Sequence, residues 1–465
     1  MPLTLSQVAP TLREMTEKQI YPQLAARAPI VYAVLPAVTN KGFRGLQWSQ
    51  SQEVGENQSV GGLGEGVSYD FGLQPHQLYA KGWWNVVYVY GGIDLTAQTI
   101  VIADGGSESA GSILTRQYKG LERATIKNEH FELMRGDGTG KLCGLAENAS
   151  TGQNVIYVDD WRPLGIKKTV SIRNHTSGAV AGSETTWYIK TLEKTPTVGH
   201  ANGYKVELGD PAAEGSDKNL DANLTAGTHV LTSAKGYGQQ LFGLCTHISQ
   251  ANPPNKSGAA NHLANIDRTA TGNDYHQAQY LTAGSKALNF PKVKRLQDMC
   301  TFEGGQRPNW GVVCTSLWNS LGFGLLRGQF STERRRLGPN WESLHFFGTD
   351  LLADDYVDLP DQTYGKLLFF HSDDLAYAWV NTRAVCNVTR MRVRELAPGT
   401  KQPTRTVKAV MFGWVKQGVE GAAMLKMLGL SNTAHSYSGI LTGWRQLAAT
   451  RYNGMGYMDA IKLAA

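Results

Sequence analysis

The sequence predicts an α+β protein built from several subdomains. At 465 residues the chain exceeds the usual size of one compact unit, and its 41% apolar content can form a large core. Apolar residues spaced by three and four over 107–135 predict one long helix. Short runs of β-branched and aromatic residues, bounded by turns, predict several strands between 154 and 208. A third stretch, 305–370, contains both helical spacing and strand-like runs.

The N-terminal part predicts two segments that need a partner surface. In residues 1–40 a short helical spacing gives way to three prolines at intervals of seven, so we expect an arm and not a compact domain. Residues 41–90 predict an extended β-hairpin loop, with five glycines between 55 and 66 at its tip and an aromatic returning strand over 83–90. A long two-stranded loop is marginal alone.

The long helix is expected to begin at Ser107 or Ser109 and to end at Gly136, just past a basic last turn. The turn that follows, over 136–141, superficially resembles a phosphate-binding loop. We reject that interpretation, because Arg135 and Leu142 occupy positions that require glycine and Ser or Thr, and because the loop follows a helix. We expect a tight reversal with positive φ.

Further along the chain, strands predominate. Four strands are predicted at 155–158, 169–172, 186–189 and 204–208, and their spacing favours a small β-barrel or sandwich. Helical segments are then expected around 238–247 and 275–288.

The stretch 305–370 follows an unusual order of elements. A strand beginning at Trp310 precedes an apolar helical run over 318–326 and the basic cluster 334–336. A strand over 344–347, Gly348, a strand at Leu351 and Leu352, an acidic turn and a last strand over 364–370 complete it.

This order resembles the central domain of the major capsid proteins of tailed bacteriophages, the Hong Kong 97-like family. The turn Asn265-Ile266-Asp267-Arg268 resembles a Gly-Ile-Asp-Arg turn of these shell proteins, with asparagine in place of glycine. Arm, aromatic strand, long helix and glycine-rich turn also follow the family's order. Segments 443–447 and 451–454 resemble closing strands that return to the peripheral domain.

The resemblance implies a Hong Kong 97-like capsid fold with six parts. They are an N-terminal arm (1–40), an extended loop (41–90), a peripheral domain (91–145) with its spine helix (107–135), a β-rich insertion (146–215), an axial domain (216–380) and C-terminal strands (381–465).

The sequence contains no arrangement of residues typical of a catalytic or metal centre, so we expect no catalytic residues, no metal and no cofactor. The acidic residues Asp354, Asp355, Asp358 and Asp361 lack the spacing of a calcium loop and are interpreted as turn carboxylates. His345 beside them has no second histidine at i+4, which favours a packed or strand-edge residue. The tryptophans show no repeat, which favours core and subunit-contact roles over stacking platforms.

Charge and cysteine content bound the compartment and the partners. Residues 381–465 carry a net charge of +9 and the remainder −3, which is compatible with weak, non-specific contact to packaged DNA or with a solvated basic face. Five scattered cysteines without C-x-x-C spacing indicate a reducing compartment. With no apolar run near ~18 residues and no signal-peptide core, we expect assembly in the host bacterial cytoplasm, without a membrane, and a place in the virion capsid.

The resemblance implies self-association into hexamers and pentamers, with a portal and possible separate scaffold and decoration proteins. Acidic loop residues of one subunit are expected to meet basic helix residues of its neighbour. The candidate contact residues are Trp48, Glu53, Glu65, Tyr69, Asp70, Phe71, Arg116, Lys119, Arg123 and Lys127. A Lys-Asn cross-link is not expected from the loop, which has no lysine between Gly45 and Ala80.

Two alternatives remain open. An encapsulin-type bacterial nanocompartment shell shares the fold but holds cargo enzymes. A monomeric β-rich ligand-binding protein is the second alternative, and it predicts no large assembly.

Overall fold

The computed structural model describes most of the middle of the chain and separate parts of its ends. The described residues are 37–39, 43–44, 47–53, 79–85, 87–96, 120–121, 124, 127–183, 186–200, 203–213, 215–234, 237–253, 263–319, 321, 334–338, 341–360, 362–379, 410–412, 423–430 and 436–463.

Strands dominate these residues. In chain order they are β1 Ala37–Thr39, β2 Phe43–Arg44, β3 Gln47–Glu53, β4 Tyr79–Asn85, β5 Val87–Thr96, β6 Lys141–Gly144, β7 Val155–Val158, β8 Thr169–Asn174, β9 Trp187–Leu192, β10 Tyr204–Gly209, β11 His229–Ser233, β12 Gln279–Thr282, β13 Trp310–Val313, β14 Arg334–Gly338, β15 Trp341–Phe346, β16 Thr349–Ala353, β17 Tyr364–Phe370, β18 Leu375–Trp379, β19 Val410–Phe412, β20 Ala423–Leu430, β21 Ser436–Ala449 and β22 Gly456–Lys462. The helices are α1 over residues 127–135, α2 Leu244–His247, α3 Phe290–Gly304 and α4 over residues 315–319. Short 3-10 turns lie at Asp274–His276 and Ser372–Asp374.

Six strands form a closed β-barrel. They pair in the order β6-β11-β8-β9-β10-β7. The chain leaving β6 then pairs with β7, where the Asp159 amide donates to the Gly144 carbonyl at 3.1 Å and the Ala146 amide to the Tyr157 carbonyl at 2.9 Å. Alternate residues point inward and are buried, as the period of two in these strands requires. The four predicted strands are confirmed, and their pairing makes a barrel and not a sandwich.

A seven-stranded mixed sheet contains the stretch with the unusual order of elements. Its order is β12-β22-β17-β13-β16-β15-β14, with β13 parallel to β16 and antiparallel to β17. The predicted strand start at Trp310 and the last strand over 364–370 are confirmed. Between β15 and β16 the chain reverses through Phe347 and Gly348, both at positive φ. Part of the predicted helical run over 318–326 lies outside the described residues.

A six-stranded sheet collects strands from both ends of the chain. The 14-residue strand β21 pairs with β5 along one edge, and with β20 and then β18 along the other. The parallel strand β1 lies beside β18. A separate three-stranded sheet, β2-β3-β4, contains three strands of the predicted loop. The single returning strand predicted over 83–90 is divided between β4 and β5, which lie in different sheets.

Helix α1 ends where the sequence predicts. Its last helical residue is Arg135, and a Cβ at Gly136 would lie 2.2 Å from the Leu241 carbonyl oxygen, so only glycine fits there. Gly138 and Gly140 have φ values of 80° and 91°, which confirms the predicted tight reversal. The described helical residues begin at 120, so the predicted start near Ser107 lies outside them.

The helix expected over 275–288 is wrong. That segment holds a 3-10 turn and β12, which pairs in parallel with β22. The helix lies later, as α3, with Pro291 in its first turn and Gly305 as a left-handed C-cap at φ 67°. Those two residues are the usual boundary signals of a helix, whereas the apolar spacing over 275–288 reflects a half-buried strand.

Two smaller expectations also need correction. The helix expected around 238–247 is reduced to the four residues of α2. Segment 443–447 does lie in a strand, β21, beside β5, but 451–454 is a turn. The strand after that turn, β22, lies between β12 and β17 in the seven-stranded sheet.

Candidate subunit-contact surfaces

The predicted contact residues are only partly within the described residues. Trp48 and Glu53 lie in β3, opposite Trp84 and Tyr79 of β4. Lys127 lies in α1, is half-buried, and its positive charge contributes to lowering the pKa of Lys168. The other seven, Glu65, Tyr69, Asp70, Phe71, Arg116, Lys119 and Arg123, lie outside the described residues. The pairing of loop acids with helix bases therefore stays a prediction.

Strand β4 has one face on the body of the protein and one face outward. Trp83 is 40% exposed and stacks under the Lys81 ammonium, whose nitrogen is 4.3 Å from the ring centre. Trp84 is 1% exposed and packs against Phe242 and His247, at 6.4 and 5.4 Å between ring centres. This alternation follows from the period of two in a strand, and it leaves an aromatic and a cation available for a neighbour.

The turn that contains Asn265 and Arg268 lies against β4, where the Trp83 amide donates to the Ala264 carbonyl at 3.0 Å. Asn265 has φ 65°, a conformation that glycine and asparagine tolerate best. Arg268 is 1% exposed. Its guanidinium donates to the carbonyls of Thr246 at 2.9 Å, Ser249 at 3.0 Å and His247 at 3.0 Å, which satisfies the carboxyl end of α2.

Burial, together with the Arg268 charge, sets the protonation of the two neighbouring histidines. Burial and the nearby Arg268 charge lower the pKa of His247 to about 3, and that of His276 to about 4. Both histidines are therefore neutral at physiological pH. They pack against Tyr452, whose ring lies 4.4 Å from the Arg268 guanidinium carbon and forms a cation–π contact.

Helix α3 presents an apolar side chain to solvent. Its inner face buries Val293, Leu296 and Cys300 against the seven-stranded sheet. On the outer face Phe302 is 85% exposed. It borders a shallow groove of about 550 Å³ lined also by Gln279, Pro291, Lys294, Arg295, Asp298, Met299 and Glu303. The outer α3 face, defined by Phe302 and this groove, is absent from the sequence prediction because the helix was expected too early in the chain.

An ionic cluster joins three parts of the fold. The fully buried Asp160 carboxylate accepts from Arg135 at the end of α1 at 2.8 Å and from Arg162 at 2.8 and 2.9 Å. Arg162 also donates to the Asp358 carbonyl at 2.6 Å and to the Asp355 carbonyl, in the turn after β16. Helix α1, the barrel and the seven-stranded sheet are therefore joined through the Asp160–Arg162 ion pair.

The carboxylates of the acidic turn after β16 contact the protein's own residues. Asp354 is buried and contacts the His130 ring nitrogen at 2.5 Å, while Asp358 accepts from the Lys366 amide at 2.8 Å. The neighbouring His345 contacts Asp350 across the strand pair at 2.8 Å. Within the described ranges no group of His, Cys, Asp and Glu side chains is arranged to hold a metal ion. In the same ranges no helix is both long enough and apolar enough to span a bilayer.

No protein-family model matches the sequence, and no curated protein matches it. Among solved structures, the chain is similar over nearly its whole length to capsid and encapsulin chains. The cyanophage A-1(L) capsid asymmetric unit is 12% identical, with 98% of each chain covered and a TM-score of 0.49. The holo-SrpI encapsulin complex from Synechococcus elongatus PCC 7942 is 10% identical, covering 100% of this chain and 98% of that chain at a TM-score of 0.45. The capsid of the native GTA particle is 7% identical, covering 97% and 94% at 0.41. With such identities and with TM-scores below 0.5, these similarities do not by themselves assign the chain to a family.

Proposed function

We propose that this chain is the major capsid protein of a tailed bacteriophage. Its copies associate into hexamers and pentamers that close an icosahedral head around double-stranded DNA. The role is structural and not enzymatic, assembly takes place in the cytoplasm of the host bacterium, and the further partners are a portal and, where the phage uses them, scaffold and decoration proteins.

The observation that carries the proposal is the order of elements from Trp310 to Phe370. Strand, helix, basic strand, strand, Gly348 turn, strand, acidic turn and apolar strand follow one another as the resemblance implies. The left-handed Asn265 in the turn with the shell-protein pattern is a second, independent agreement. The hairpin strands β3 and β4, with Trp83 outward, further support a loop that reaches a neighbour.

Affinity in such a shell comes from area spread over several interfaces. Apolar burial contributes about 25 cal/mol per Å², so many modest contacts per subunit suffice to close a particle. The basic segment 381–465, with its net charge of +9, supports weak contact with DNA inside the shell.

The first experiment is expression of the chain alone, followed by light scattering and negative-stain microscopy. We expect rings, sheets or closed shells of megadalton mass. Particles filled with protein cargo instead of nucleic acid would favour the encapsulin alternative. A monodisperse monomer, both alone and when co-expressed with a matching scaffold, would overturn the proposal and favour a monomeric binding protein.

Charge reversal tests the predicted contacts. Changing Glu53, Glu65 and Asp70 together to lysine is expected to abolish particles, because each would then repel the basic helix residues of the neighbouring subunit. The matched control changes the exposed Glu193, Asp274 and Asp373 to lysine, which alters net charge equally and is expected to leave particles intact.

Restoration provides a second arm of that test. Reversing Arg116, Lys119 and Arg123 to glutamate in the lysine variant is expected to restore particles. Normal assembly of the first triple variant, measured by sedimentation, would show that these acids do not contact a neighbour.

A further inference from the structure

The hairpin of β3 and β4 is attached to the body of the protein by a buried polar side chain. Gln52 is 1% exposed although it belongs to a hairpin strand, and its amide nitrogen donates to the Ala449 carbonyl at the end of β21, at 3.0 Å. A glutamine in an isolated hairpin would point into solvent. Here it crosses to a strand almost 400 positions away in the chain.

Glycine at position 82 makes room for this contact. A Cβ on Gly82 would lie 3.1 Å from the Gln52 amide nitrogen and 3.1 Å from the Ala264 Cβ. These distances are shorter than ordinary contacts, so a Cβ at this position would require the Gln52 side chain or Ala264 to move by a few tenths of an ångström. On the same strand, the Trp83 amide donates to the Ala264 carbonyl at 3.0 Å, so the backbone of β4 is also held.

The surface next to Gln52 is buried and held by several contacts. Tyr452 is 2% exposed and lies under the Arg268 guanidinium, which is tied to three carbonyls at the end of α2. Burial raises the pKa of Tyr452 to about 12, and the neighbouring Arg268 and Gln52 side chains act in the opposite direction. The hairpin, the Asn265–Arg268 turn and the end of β21 therefore meet in one buried polar cluster.

We propose that Gln52, Gly82, Arg268 and Tyr452 form a latch that fixes the direction of the hairpin before a neighbouring subunit is met. This inference rests on the proposed function, because the advantage of a fixed hairpin is in assembly. A loop held in its binding direction loses less conformational entropy when it reaches a neighbour. Gln52 is a positioning residue, since it contacts the body of its own subunit.

Hydrogen exchange on the unassembled full-length chain tests the latch. In Gln52→Leu, which keeps the volume and removes the donor, amides of β3 and β4 are expected to exchange about tenfold faster. Amides of the barrel strands β8 and β11 are expected to keep their rates. The control Ser51→Ala changes an exposed residue on the same strand and is expected to alter neither.

Gly82→Val separates the latch from simple strand stability. Valine has the higher strand propensity, so a hairpin that did not pack on Gln52 and Ala264 would exchange more slowly in this variant. With the latch, the side chain displaces Gln52, and β3 and β4 exchange faster. Unchanged or slower exchange in both variants would overturn the proposal, and so would equal acceleration of hairpin and barrel, which would mean a global effect.

Assembly is then measured on the same variants. Both are expected to form particles only at higher protein concentration than the wild type, although no predicted contact residue has changed. Normal assembly at wild-type concentration would remove the functional part of the proposal. If the wild-type chain forms no particles under any condition, the proposed function fails, while the exchange data still decide whether the latch exists.

Discussion

Glu132, on the buried face of α1, and Lys168 are side chains of opposite charge, and each affects the pKa of the other. Burial raises the pKa of Glu132 to about 7, opposed by the Asn128 side chain, which donates to its Oε1 at 2.6 Å, and by the Lys168 charge. Burial likewise lowers the pKa of Lys168 to about 8, and its ammonium donates to the Pro163 carbonyl at 2.9 Å. Near neutral pH, both groups lie close to their titration points.

Replacing Glu132 with glutamine is expected to stabilise the subunit more as the pH rises from 5 to 7. In this window the unfolded chain, with a carboxyl pKa of 4.5, releases the proton that the folded chain retains, so the wild type loses stability. Glutamine cannot ionise, and its advantage should reach on the order of 2 kcal/mol at pH 7.

Urea unfolding of unassembled protein at pH 5, 6 and 7 measures this difference. Glu303→Gln, on the exposed side of α3, serves as the control and should differ from wild type by the same amount at every pH. A pH-independent difference for Glu132→Gln would mean that Glu132 does not hold its proton in the folded state.

The conformation of some single residues could be predicted from the sequence, and that of others could not. Gly136, Gly138 and Gly140 were predicted as a reversal, because closely spaced glycines after a basic helix end are typical of a tight turn with positive φ. The place of Arg268 could not be predicted, since an arginine in a polar turn is usually exposed. Its burial depends on three carbonyls contributed by the segment 246–249.

On the proposed function, the outer α3 face is a candidate contact between subunits. Phe302 is solvent-exposed in the single chain and is flanked by Met299 and Pro291 along the groove. Single exposed apolar residues are common on protein surfaces, but one beside an apolar groove is a more specific feature.

Phe302→Ser is expected to weaken assembly without changing the stability of the subunit. Burying a phenylalanine side chain contributes about 1.5–3 kcal/mol, so the concentration needed for particles should rise about tenfold or more. Sedimentation measures the assembled fraction, and urea unfolding of the unassembled chain should show an unchanged midpoint.

Val198→Ser is the matched control, because Val198 is 97% exposed on the connection between β9 and β10 of the barrel. It is expected to assemble as the wild type does. If both variants assembled normally, the outer α3 face would not be a contact in the particle.

At the scale of the whole molecule, the barrel is part of one continuous core. Barrel residues such as Ile156 and Ile172 belong to the same buried cluster as Phe131 of α1, Leu352 of the seven-stranded sheet and Leu447 of β21. A second cluster lies under α3. The barrel is therefore packed on the body and also joined to it through Arg162.

Arg162→Met is expected to lower the free energy of unfolding by about 3 kcal/mol, since it leaves the buried Asp160 with one cationic partner fewer. Because the apolar core is continuous, we expect a single transition. Arg173→Met is the control. In the described part of the chain, the Arg173 guanidinium donates to the Gly178 carbonyl at 3.0 Å and lies over the Tyr237 ring. Because these contacts do not reach α1 or the seven-stranded sheet, we expect a smaller decrease in the free energy of unfolding.

Calorimetry of the unassembled chain measures both variants. A separate, earlier transition in Arg162→Met would contradict the expectation, because it would mean that the ionic cluster and not the core holds the barrel to the body.

The amino-acid sequence alone determined the local features of this protein. Four of the six barrel strands, the end of α1, the reversal at Gly138 and the strand order around Gly348 all follow from periodicity and turn residues within a few positions of one another. Tertiary structure alone decided that the barrel closes, that β22 lies between β12 and β17, that Gln52 is buried, and that Phe302 is exposed. The reason is that backbone dihedral angles depend mainly on neighbouring residues, which the sequence shows directly. Strand partners and burial depend on contacts between segments far apart in the chain, and a single sequence does not show which segments make contact.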